Sequence, residues 1–146
     1  MKKYQSRKGS HLSDEQAKIF GPRIAELMAD RGGKLTPIEL LEDARKKESP
    51  YHDFFDWDND SAAEKFRIHQ ARYLLSNIVE IVIIEKKPSL QRAFFNVTDE
   101  TNPTGKVYVT VKTAIKVDSY RTELLNKIIQ HLENTTTLMK LFKQIK

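Results

Sequence analysis

His52, Asp53, Asp56, Asp58 and Asp60 are the densest run of proton-transferring and metal-binding side chains in the sequence. A histidine beside a carboxylate can work as an acid–base pair, and carboxylates at alternate positions can hold a hard cation. Asp56, Asp58 and Asp60 have the opening spacing of a calcium loop. Such a loop needs glycine at its sixth place and a bidentate glutamate at its twelfth. Ser61 and Arg67 stand there instead. The four histidines, His11, His52, His69 and His131, are far apart in the chain, and there is no cysteine. Thiolate nucleophiles, thiolate metal sites and disulfides are therefore excluded. No glycine-rich phosphate loop or nucleophile motif occurs. The expectation is a protein with no catalytic residues, no metal and no cofactor.

A second chemistry is written in cations. Lys2, Lys3, Arg7 and Lys8 give the first ten residues four bases and no acid. Further along, Lys65, His69, Arg72 and Ser76 fall at i, i+4, i+7 and i+11, the spacing of one stripe on a helix, with Arg67 and Gln70 beside it. Residues 106–146 hold eight bases against three acids, while residues 48–60 hold five acids and no Lys or Arg. Cations in a stripe neutralise phosphates or meet a groove. Together with a net charge of +5, this pattern favours an anionic partner such as nucleic acid. The candidate contacts are Lys2, Lys3, Arg7, Lys8, Lys65, Arg67, His69 and Arg72.

The elements that must position these residues are signalled locally. Residues 1–12 have no periodicity, and the expectation is a flexible basic arm. Ser13-Asp14-Glu15-Gln16 is a capping box, and Ala17, Phe20, Ile24, Leu27 and Met28 recur at helical spacing behind it. Gly21-Pro22 predicts a kink or a fresh helix start. Gly32 and Gly33 end the helix. Thr36-Pro37-Ile38-Glu39 opens a second helix of about ten residues, which stops at Ser49-Pro50. Tyr51, Phe54, Phe55 and Trp57 then alternate with acids in a loop; the aromatics suit a core plug. Ser61-Ala62-Ala63-Glu64 reads as a third capping box, and Ala63, Phe66, Ala71, Leu74, Leu75 and Ile78 supply that helix's core face.

β-structure follows. Val79–Glu85 is β-branched, Lys86–Ser89 reads as a turn, Leu90–Val97 is a second strand, and Lys106–Thr113 alternates as a third. A last helix starts at Asp118 or Ser119. Leu124, Leu125, Ile128, Ile129 and Leu132 line one side, and the pattern resumes at Leu138 after the threonines 135–137. Threonine is a poor helix former, so either one helix bends there or two meet. The apolar residues past 137 exceed what one small domain covers, and they suggest a homodimer through this helix.

The fold class expected is therefore α+β. Three N-terminal helices in a winged-helix-like order span 13–77. A small three-stranded antiparallel sheet spans 78–113, and a long C-terminal helix spans 117–146. Residues 13–146 form a single domain. The longest apolar run, Ile81–Ile84, cannot span a bilayer, and the start of the chain lacks a signal-peptide core. The expectation is a cytoplasmic protein without membrane contact.

Read as one line, the chain contains Leu35-Thr36-Pro37, then Ala44-Arg45, then Ser49-Pro50-x-His52-x-x-Phe55-x-Trp57-Asp58, then Ala62-Ala63-x-x-x-Arg67-x-x-Gln70-Ala71-Arg72. This pattern resembles a group of small proteins encoded in phage and prophage genomes. The resemblance extends over most of the chain, including Lys8-Gly9-Ser10, and SPxHxxFxWD is its most specific part. It implies a viral or mobile-element setting in the host cytoplasm, and it carries over no functional residues. The residues themselves favour two function classes over a third, an enzyme working through His52 with Asp53 and Asp56. One is an accessory protein that binds nucleic acid through the arm and third helix. The other is a non-enzymatic module that binds a viral or host protein through the acidic aromatic loop or the last helix.

Overall fold

Residues 3–6 form a strand rather than part of a flexible arm. In the computed structural model, which describes residues 3–58, 63–102 and 104–144, β1 (Lys3–Ser6) pairs antiparallel with β2 (Ile78–Ile84). Tyr4 is buried by this pairing. Its ring lies over Gly21 in α1 (Asp14–Asp30) and stacks with Phe94 at 6.4 Å. Four residues with one aromatic carry too little periodicity to announce a strand, and the partner strand lies over 70 residues away.

The same contact accounts for Gly21-Pro22. α1 runs through this pair without a break. A Cβ on Gly21 would stand 2.6 and 2.8 Å from Cδ1 and Cδ2 of Tyr4, so only glycine lets β1 lie against the helix. The Ser13 box forms: Ser13 Oγ accepts from Gln16 N–H at 3.1 Å, and Gln16 Oε1 accepts from Ser13 N–H at 2.9 Å. Asp14 adds a tie, accepting from the backbone and hydroxyl of Ser6 at 3.0 and 2.6 Å.

Thr36 and Glu39 make the same reciprocal box for α2 (Pro37–Ala44), which is shorter than expected. Leu35, just before it, bridges to Tyr108 through backbone bonds of 3.0 and 2.7 Å. The chain then turns through a single 3-10 turn, His52–Phe54, to α3 (Ala63–Asn77). The proposed Ser61 cap lies outside the described residues. Phe66 is not a core residue of α3: it is 52% exposed.

β2 and β3 (Lys87–Arg92) form a hairpin whose two turn residues are Glu85 and Lys86, at φ 50° and 66°. The turn therefore precedes the Lys86–Ser89 position read from sequence. Pro88 sits in an outer strand, where a missing N–H costs nothing. The expected single sheet is two. After Ala93, β4 (Phe94–Thr98) leaves β3 and pairs with β5 (Lys106–Thr110). β5 stops at Thr110, three residues early, because the Thr110 hydroxyl accepts from Thr113 N–H and caps α4 (Val111–Lys116).

Both faces of β5 are covered. Tyr108 belongs to the main core with α1, α2, α3 and the aromatic loop. Val107 and Val109 belong to a smaller core with Val97, Ala114 and Tyr120. Tyr120 is the sole buried residue of α5 (Asp118–Gln144), a continuous helix of 27 residues. The threonines do not break it, since Thr135 and Thr137 turn their hydroxyls back to the carbonyls of His131 and Glu133 at 2.8 and 3.0 Å. The structure is thus α+β with a long C-terminal helix. No helix among the described residues is long and apolar enough to cross a membrane.

Candidate nucleic-acid interface

The acidic aromatic loop, which carried the first candidate chemistry, is a folding clasp. Tyr51 and Phe55 are buried. The His52 ring stacks on Trp57 at 4.9 Å and 14°, with Nδ1 2.7 Å from the Ala44 carbonyl. The Trp57 indole donates to the His52 carbonyl at 2.8 Å. Asp56 and Asp58 present their backbone inward: both carbonyls accept from Arg67, at 2.6 and 2.8 Å. Asp60 lies outside the described residues. Among the described residues no three His, Asp or Glu side chains gather as a metal site would require.

Arg67 is therefore corrected as a nucleic-acid contact. It is 4% exposed, its guanidinium lies over Trp57 at 5.1 Å, and its Nη1 meets Glu64 at 3.4 Å. A sequence signal for this existed. Arg67, Ala71, Leu74 and Ile78 are spaced 4, 3 and 4, so Arg67 lies on the buried stripe. Gln70, its neighbour on the helix, also holds the loop, donating to the Phe54 carbonyl at 3.1 Å and accepting from Asp56 N–H at 3.2 Å.

A second buried polar group braces α1 against α2. Asp43 accepts from Arg23 at 2.9 Å, from Lys46 at 3.3 Å and from the Tyr51 hydroxyl. Burial is the strongest single influence on the Asp43 carboxyl and pushes its pKa up. Tyr51, Arg23 and Lys46 together outweigh it, so the pKa ends below its ordinary value. Burial, then Asp43, drives the Tyr51 hydroxyl the other way. Burial also pushes Tyr4 up to about 12, with Glu80 adding to the effect. These are structural ionisations: charged or neutral forms are fixed to suit the core.

The remaining candidates lie along α3. Arg7, Lys8 and Gly9 form a turn closed by Ser10 N–H to the Arg7 carbonyl at 3.0 Å, with Gly9 at φ 84°. A left-handed residue at this place of a turn favours glycine. Arg7 N–H donates to the Asn77 carbonyl at the end of α3, at 2.7 Å. One helical turn back, His11 N–H donates to the Tyr73 hydroxyl at 2.5 Å, and the two rings stack at 6.4 Å. Segment 7–11 therefore runs down the exposed side of α3.

Two hollows border this seam, and a third lies beside α3 against α2 and β5. One, of about 350 Å³, is lined by Arg7, Lys8 and Arg92 with Ser6, Val79, Leu90 and Gln91. A second, of about 320 Å³, is lined by His11, Phe54, Phe66, His69, Gln70 and Tyr73. The third, of about 220 Å³, has Arg72 and Lys106 near the start of α2. Among the described residues, no Asp or Glu lines any of the three. Lys106 is the least available cation, because its ammonium is 3.0 Å from the Thr98 hydroxyl and 3.5 Å from Glu123. Lys65 is exposed on the same helix, Lys3 is exposed on β1, and Lys2 lies outside the described residues. Arg92, His11 and the exposed Phe66 escape sequence reading because they come from other elements or from a position read as core.

Cations fixed around a groove can bind phosphates, and aromatic rings beside them can stack on bases. No protein-family model matches the chain, and neither a curated protein nor a solved structure matches it significantly.

Proposed function

We propose that this protein binds nucleic acid along α3 and the joined segment 7–11, as an accessory protein of a phage or mobile element acting in the host cytoplasm. One observation carries the reading. Two hollows along this seam gather Arg7, Lys8, Arg92, His11 and His69, and Arg72 lines a third on another side of α3, with no carboxylate among the described residues of their walls, in a chain with 20 acidic residues. Lys65 and Lys3 extend the positive surface at its ends. After β1, three helices precede the remaining strands, an order similar to that of a winged helix, in which α3 would take the recognition position; the analogy is one of element order. The reading assigns no catalysis and no cofactor.

The test is fluorescence anisotropy with labelled duplex and single-stranded oligonucleotides at low salt. The Lys65→Glu, Arg72→Glu double variant changes only exposed side chains and keeps the fold. It should weaken binding at least tenfold. Equal affinity of the variant and the parent, or no binding by the parent, removes the reading.

A second reading, a non-enzymatic protein-interaction module, is favoured by α5. The acidic aromatic loop is committed to the core, so α5 is the surface that this reading retains.

A further inference from the structure

α5 stays against β4 as far as Lys127, whose ammonium lies 3.4 Å from the Asn96 carbonyl, and then continues for about 26 Å, at 1.5 Å per residue, to Gln144. Beyond Leu124 no described residue of it is buried or half-buried. Yet Leu125, Ile128, Leu132, Thr135, Met139 and Phe142 are spaced 3, 4, 3, 4 and 3. Their large apolar members are 51–69% exposed. This is the spacing of the seam by which one helix packs on another. With Ile129 and Leu138 beside it, the open stripe is on the order of the ~800 Å² per partner of a standard interface. An isolated monomer rarely shows a patch of that size.

We infer that α5 pairs antiparallel with α5 of a second copy of this chain. The inference rests on the interaction reading of α5 and names its occupant. The occupant is a helix, because the stripe is narrow and heptad-spaced. It is the same helix, because the stripe matches itself when reversed: Leu125 meets Phe142, Ile128 meets Met139, and Leu132 meets Thr135. Large faces small at the centre, and the surface is isologous, as a two-fold dimer requires. A parallel pair would set Thr135 against Thr135 within the seam. It would also place side by side the two ends that carry Lys140 and Lys143 with no acid after Glu133. Reversal separates these ends by the length of the helix and opposes the two macrodipoles.

The chain has no cysteine, so an introduced one can be joined only to another copy. Leu125→Cys and Phe142→Cys proteins are prepared separately, mixed and oxidised. The inference expects a cross-linked dimer from the mixture and little from either variant alone. It also expects light scattering to give twice the 17.0 kDa chain mass. Leu132→Glu should weaken the pair by about a hundredfold or more, since a carboxylate would enter the seam. The helical signal and thermal transition of the body should persist, because Leu132 touches no part of it. A Leu125→Cys protein that cross-links with itself overturns the antiparallel arrangement. A chain that stays monomeric at 100 µM, roughly the concentration at which weak pairs form, overturns self-pairing. It would leave the interaction reading to be judged by binding of α5 to a different protein.

Discussion

The guanidinium carbon of Arg67 lies 5.1 Å from the ring centre of Trp57, and Nε of the same side chain donates to the Asp56 carbonyl at 2.6 Å. One arginine thus holds the loop before α3 by its aromatic ring and by its backbone. Arg45 also lies near this ring, 5.7 Å from its centre, and is itself held by Glu64 at 2.7 and 2.8 Å. Of the two cations that order the loop, Arg67 is the one whose sequence position suggests a nucleic-acid contact, and Arg45 is not.

Arg67→Ala should therefore lower stability by about 2–4 kcal/mol, because a buried side chain is lost and two part-buried carbonyls lose their charged donor. Urea unfolding followed by the single tryptophan, Trp57, measures this. At concentrations where the variant is folded, nucleic-acid affinity should change less than twofold. A tenfold loss of affinity would return Arg67 to the interface.

Gly21→Ala should detach β1. The new methyl would overlap the Tyr4 ring, which is held by strand pairing on one side and Phe94 on the other. Overpacking of this kind costs about 1–3 kcal/mol. Hydrogen exchange at residues 4–6 should quicken far more than at α2, and binding through Arg7 and Lys8 should weaken with it.

The root of α5 carries a pH-dependent tie. Glu123 accepts from Thr98 N–H at 2.8 Å and from Lys127 at 2.8 Å, with Lys106 at 3.5 Å. Burial tends to raise its pKa, but these partners prevail and hold it down to about 2, from 4.5. The folded pKa lies below the unfolded one. The stabilisation is thus complete above pH 4.5 and is lost as pH falls from there through about 2. For this partly exposed group it amounts to about 1–2 kcal/mol. Glu123→Gln should flatten that part of the stability–pH curve, read from urea midpoints at successive pH values.

Glu85 and Lys86 occupy left-handed backbone in a two-residue turn that favours Asn-Gly. Glu85→Asn with Lys86→Gly should raise stability by about 0.5–1.5 kcal/mol, visible as a higher thermal midpoint with unchanged nucleic-acid affinity.

What the sequence made legible was what short range decides. Ser13 and Thr36 announce their helices because the cap and its partner are three residues apart. α5 was visible in its apolar period. β1 was not, because its stability comes from Ile78–Ile81 and from a glycine in a helix, neither of which its own four residues display. The split of the sheet at Ala93 depends on Ala93 N–H reaching the Ile78 carbonyl at 3.1 Å, again a distant partner. At the candidate interface, Lys65, His69 and Arg72 were legible as a helical stripe. Arg67 resembles a member of that stripe by its charge, but its spacing to Ala71 and Leu74 marks it as inward. Arg92 and His11 join the face only through folding.

The central claim is that the seam between segment 7–11 and α3 binds phosphates. Its most direct measurement is the salt dependence of oligonucleotide affinity for the parent chain and for Arg72→Ala. With Arg7, Lys8, Lys65 and Arg72 engaged, log affinity should fall against log salt with a slope of about −3 to −4, and Arg72→Ala should make that slope shallower by about one. A slope near zero, or an identical slope for the variant, would contradict the account.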